Sequence, residues 1–163
     1  MSTTAATPAS DTSLLVRILD EGYGPGAWHG NDMKAALADV EPALAFWRPA
    51  SSRHNIAEIA IHHAFYIHAV RERLTGASPG PFAFEGDGDW FTLPGSSRLG
   101  WPELASIVAE EQQALRSLVG EIGAGRVRSA KNDGERLDLI LGITCHAVYH
   151  AGQIQLIKAL RST

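Results

Sequence analysis

Between residues 135 and 160 apolar side chains recur three and four positions apart, at Leu139, Ile140, Ile143, Ile154 and Ile157. That period draws one stripe along a helix; a strand would alternate with a period of two. His146 and His150 sit inside the stripe, where a chain that only needed a core would place aliphatic residues. The stripe must be buried against other elements, and everything else in the sequence reads as helix or connector.

Three further segments carry the same period. Residues 12–23 place Leu14, Leu15, Ile18 and Leu19 on one side, with Asp11 suited to cap the start and the glycines and proline of 22–26 to stop it. Residues 55–75 open on Asn55 and Glu58, spaced as a capping box, and end before Gly76 and Pro79. Residues 101–123 open with Pro102 in the first turn and carry Ile107, Leu115, Leu118 and Val119. A shorter helix is expected from Asn31 or Asp32 to Val40, with another turn across 41–47 before Pro49. No strand pattern and no internal repeat is visible. The expected fold is all-α: four main helices in a bundle, a short extra helix after the first, and a connection of 25 residues (76–100) between the second and third. Connections that long in a small domain are usually functional or cross over an end of the fold. Residues 1–11 read as a disordered tail and 12–163 as a single domain.

Composition narrows the function. With 163 residues, 45% of them hydrophobic, the chain can bury a core. Its 14 basic and 18 acidic side chains give a formal charge of −4, with no basic run to grip phosphates, so no nucleic-acid partner is expected. No stretch reaches the roughly 18–20 apolar residues of a membrane span, and no secretory leader is visible. A cytoplasmic protein is the expectation. The lone Cys145 precludes an internal disulfide and reads as a buried, inert thiol. His54 and His68 read as exposed.

The seven histidines carry the chemistry. His146 and His150 are four apart, so both imidazoles share one helix face and can share a metal ion. Two imidazoles held separately by ordinary acceptors would have the same spacing. A third imidazole would come from His62 or His63 on the second helix. On a helical wheel the apolar centre, set by Ile56, Ile59, Ala60, Ile67 and Val70, lies nearer His63. Gly152, inside the fourth helix, implies a close backbone approach. Trp90 and Phe91 can wall a pocket or form a satellite core.

The segments 54–66 and 146–153, the latter ending in Gly152 and Gln153, resemble the DinB-like (damage-inducible) superfamily of metal-binding four-helix bundles. That group includes the YfiT-like proteins and bacillithiol transferases and is distinct from the polymerase sharing its name. Trp28, His29 and Gly30 are similar to an element of one branch, and the resemblance spans about 14–160. It implies a metal held by one histidine of the second helix and two of the fourth. The fourth-helix pair falls on His146 and His150. Counting from the capping position, Asn55, the second-helix ligand falls on His62, with Tyr66 as the aromatic four residues on and His63 as the rival. His29, His63, Tyr66 and Gln153 become candidates for the pocket or for support of the ligands. The resemblance further implies a homodimer.

Three neutral imidazoles would leave a divalent ion, zinc or nickel for preference, with Lewis acidity and open positions for water or a thiolate. The expected function is a metal-dependent enzyme of thiol S-transferase or hydrolase type, acting on a small molecule, with a low-molecular-weight thiol as one partner. No carboxylate is placed by the sequence as a general base. The alternatives are a non-catalytic metal- or ligand-binding stress-response bundle, and an all-α interaction module without metal, in which the histidines would not converge.

Overall fold

The structure is a computed structural model and describes residues 11–24, 26–86 and 88–161. The expected tail lies outside these apart from Asp11, which opens the first helix. The described residues form six helices and no strand. They are α1 (Asp11–Tyr23), α2 (Met33–Leu37), α3 (Pro42–Ala45), α4 (Ile56–Thr75), α5 (Trp101–Gly123) and α6 (Asp133–Arg161). The four long ones pack in cyclic order, α1 on α6, α6 on α4, α4 on α5 and α5 on α1, while α2 lies on α6. Among the described residues no helix is long and apolar enough to cross a membrane.

Local chemistry sets the helix ends. Asn55 accepts the Glu58 amide at 2.8 Å and the Glu58 carboxylate reaches back to the Asn55 amide, closing the capping box. Gly76 ends α4 in the left-handed conformation that glycine adopts without strain (φ 70°). Asp32 caps α2, and Pro102 sits in the first turn of α5.

Two apolar clusters fill the interior. One gathers α2, α3, the first half of α4, Trp101, Leu104 and Val108 of α5, and the end of α6. The other joins Leu19 of α1 to Ile67, Val70 and Leu74 of α4, Leu115 and Val119 of α5, and Ile140 and Ile143 of α6. The histidines of α4 and α6 fall between them. Ala60, Ala64, Ala147 and Ala151 are all buried beside them and leave room for imidazole rings.

Three expectations need correction. Leu14 is 46% exposed, because the buried side of α1 centres on Leu19. Gly152 faces open space: a Cβ there would meet nothing within 4 Å. The close helix approach is instead at Gly22 of α1, where a Cβ would come within 3.1 Å of the Ala147 Cβ and 3.3 Å of the Thr144 Cα. Cys145 is exposed, since it lies about 100° round α6 from the buried His146 side.

Candidate metal centre

His62, His146 and His150 each offer one ring nitrogen, and the three nitrogens lie within 4.8 Å of one another. His62 comes from the middle of α4, and the other two come from successive turns of α6. His62 and His150 are 4% and 3% exposed, and His146 is half-buried.

The far side of each ring is tied down. His62 Nδ1 donates to the Asp89 carbonyl at 2.7 Å, and His150 Nδ1 to Gln153 Oε1 at 2.6 Å. The Gln153 amide is itself oriented by donating to the Tyr149 hydroxyl at 3.1 Å. Both Nε2 atoms are thereby left as lone pairs. His146 Nδ1 lies 3.0 Å from His63 Nδ1, and its Nε2 lies 3.2 Å from His150 Nε2. Imidazoles that bind metals generally give their other N–H to an acceptor, which fixes ring and tautomer.

His63 is the most buried of the four, as the helical wheel anticipates, yet it is not one of the converging three. It stands behind His146. With the His146 Nε2 lone pair turned to the centre, its Nδ1–H donates to His63 Nδ1, and the His63 proton moves to Nε2. His63 Nε2 is fully buried and has no hydrogen-bond partner among the described residues. A buried polar atom left unpaired costs free energy, so His63 is an expensive way to fill space and an understandable way to orient His146.

All four rings are held neutral. Burial, reinforced by the neighbouring imidazoles, pushes His146 down to about 4. Burial does the same to His150, to about 4, against the opposing Gln153 hydrogen bond. His62 is lowered by burial and His63 well below its ordinary value for the same reason. Neutral rings with convergent lone pairs and no proton to share among them are a donor set that suits a divalent cation.

The connection between α4 and α5 completes the site. Trp90 stacks between His62 and His54, with ring centroids 3.8 and 3.7 Å apart and planes within 12°. Glu58, 1% exposed, accepts the Leu93 amide at 2.9 Å and pairs with Arg48, while the Asn55 amide group donates to the Leu93 carbonyl at 2.8 Å. The residues that cap α4 therefore also pin the loop carrying Trp90. Phe91 packs with Phe65, Phe82 and Phe84, so the loop supplies both a wall and a satellite core. Tyr66 lies with its ring centroid 4.8 Å from that of His146 and donates to Asp89 Oδ2 at 2.7 Å. That bond lowers the Asp89 carboxyl and raises the Tyr66 phenol.

Asp89 is the carboxylate the sequence did not place. Its oxygen is 3.8 Å from His62 Nδ1, on the side away from the converging nitrogens. Only its setting among the glycines and aspartates of a long connection hinted at it.

Other histidines go elsewhere. His29 is exposed and its Nε2 donates to the Glu21 carbonyl at 2.7 Å, so it closes the end of α1 and does not reach the centre. Neighbouring Trp28 is 92% exposed. His54 is exposed at the rim, as expected. His68 is not: it is half-buried, held between Glu111 at 2.9 Å and the Gly80 carbonyl at 3.1 Å.

A cavity of about 460 Å³ abuts the centre, with His150 and Gln153 at its base and Trp90, Ile59, Leu156 and Ile157 in its walls. Among the described residues no fourth side chain joins the three histidines. Comparison with family models, with curated proteins and with solved structures returns no match.

Proposed function

We propose that the chain is a DinB-like four-helix bundle that holds a divalent metal ion, zinc or nickel, on His62, His146 and His150. We further propose that it is a metal-dependent transferase or hydrolase acting on a small molecule, with a low-molecular-weight thiol as one reactant. The convergence of three lone-pair nitrogens, each ring anchored from behind, carries this reading.

The ion would supply Lewis acidity and exchangeable positions for water or a thiolate. The chain's own residues then have definable tasks. Gln153, the Asp89 carbonyl and His63 hold the three rings in one tautomer and one orientation. Trp90 clamps His62 and screens it from solvent. The Tyr66–Asp89 pair stands beside His146, the phenol keeping its proton and its hydrogen bond holding the carboxylate ionised.

An open cavity on His150, and three protein nitrogens with no fourth, favour a reactive centre over a closed structural ion. The second reading, a non-catalytic binding bundle, predicts tight metal but no turnover. The test is a screen of zinc- and nickel-loaded protein for thiol transfer to soluble electrophiles and for ester and amide hydrolysis. Turnover that disappears in His150→Ala supports the enzyme; metal without turnover across both reaction classes supports the binding bundle.

A homodimer belongs to the same proposal. Leu14, Leu137 and Leu141 are 43–48% exposed on α1 and α6, next to exposed Cys145. Sedimentation of wild type against Leu141→Lys tests it: a dimer that dissociates in the variant supports this face.

A further inference from the structure

Building on the metal-centre reading, we infer that the cavity beside His150 takes a small monoanion with an apolar body, and that Arg53 reads its charge. The walls set the body. Ile59 and Ile157 are buried, Leu156 is 60% exposed at the opening, and the Trp90 ring closes one side. The volume, about 460 Å³, lies in the lower part of the range for small-molecule sites, about 300–1,000 Å³.

The lining sets the charge. No carboxylate and no lysine borders the cavity, and Arg53 is its one guanidinium. That guanidinium makes no hydrogen bond or ion pair with the described residues; the Arg53 contacts are backbone ones, its amide to Ala50 and its carbonyl to Arg48. The nearby acid, Glu58, is 1% exposed and already engaged by Arg48, His54 and the Leu93 amide, so it neither neutralises Arg53 nor faces a ligand. Arg53 is exposed, and the other polar side chains of the lining are His54, Tyr149, His150 and Gln153, so a guanidinium with no acid opposite it favours a carboxylate, which its planar fork can bind in a bidentate pair.

Spacing gives the ligand a direction. Arg53 precedes α4 and His62 is its seventh residue, so at about 1.5 Å per residue the backbone carrying the guanidinium lies on the order of 10 Å along the α4 axis from that of His62. The anionic end therefore sits at the mouth and the far end of the ligand at the centre. Reaction occurs at the end of the molecule remote from its charge.

The test uses phenylbutyrate, phenylbutanol and phenylbutylamine as probes, titrated by calorimetry into metal-free and zinc-loaded full-length protein. The carboxylate should bind at least 10-fold more tightly than the amine in the metal-free protein, with the alcohol between them. Arg53→Gln should erase that order, Arg53→Lys should keep most of it, and Leu156→Glu, a new carboxylate at the opening, should weaken the anion. An absent preference, a preference that survives Arg53→Gln, or carboxylate binding that requires zinc would each overturn the inference. Zinc affinity, measured separately, should be unchanged by Arg53→Gln. Failure to bind zinc would sink the metal reading while leaving an Arg53-dependent preference intact, so the two failures are distinguishable.

Discussion

Replacing His63 separates a ligand from a residue that positions one. His63→Leu removes the one side-chain partner that His146 Nδ1 has among the described residues and also removes Nε2, which has none there. The first loss costs the fold about 1 kcal/mol, the worth of a typical hydrogen bond, and the second recovers about 1–3 kcal/mol of burial penalty. The metal-free protein should therefore be as stable as wild type or up to about 2 kcal/mol more stable by urea unfolding. Metal affinity should behave differently. With no acceptor behind it, His146 loses its fixed tautomer and orientation, and loss of such outer contacts typically weakens binding about 10–100-fold, or roughly 1.4–2.7 kcal/mol. His63→Gln, whose carbonyl can accept the His146 proton, should recover part of that. The assay is competition for zinc against a chromophoric chelator at pH 7.5. Complete loss of zinc with His63→Leu would make His63 a ligand, and unchanged affinity would remove its orienting role; either refutes the reasoning.

Zinc affinity should stay nearly flat as pH falls from 7.5 and drop below the ordinary histidine range, as His62, lowered by burial, and His146 and His150, near about 4, take up protons. A fall centred near the ordinary histidine value of about 6.5 would contradict the buried, neutral centre. The sign for stability follows: unfolded imidazoles bind protons that the folded ones refuse, so the metal-free protein loses stability as pH drops from about 6.5 towards 4, readable as a falling urea midpoint. Gly152→Ala should stabilise by about 1 kcal/mol because the position is open and helical, whereas Gly22→Ala should destabilise by about 1–3 kcal/mol against Ala147 and Thr144; thermal melts decide both. Asn55→Ala loses the α4 cap and leaves the Leu93 carbonyl unpaired, about 2–4 kcal/mol together, and should loosen Trp90 enough to raise its accessibility to acrylamide quenching.

What the sequence made legible was local. The capping pair Asn55 and Glu58, the stop at Gly76, Pro102 and the stripe of α6 each act over a few residues, so the helix bounds follow from spacing. The same spacing puts His146 and His150 on one face. Choosing between His62 and His63 needs more than a wheel, because a wheel reports burial and both residues are buried; what separates them is where their nitrogens point. Asp89 was out of reach, and the choice between wall and satellite core for Trp90 and Phe91 stayed open, for another reason. The path of the 76–100 connection is set by bonds to Glu58, Asn55, His62 and Tyr66, which lie 23–38 residues away along the chain. Cys145 and Gly152 went wrong because the buried stripe of α6 is narrower than its composition implies, leaving Leu141, Cys145, Tyr149 and Gly152 exposed along its middle.

The most direct measurement is metal content by elemental analysis of untagged protein, for wild type, His62→Ala, His150→Ala and His63→Ala in parallel after incubation with zinc. A converging three-histidine centre predicts near-stoichiometric metal in wild type, loss in His62→Ala and His150→Ala, and retention in His63→Ala. Wild type that takes up no metal, or metal lost with His63→Ala and kept with His62→Ala, would contradict it.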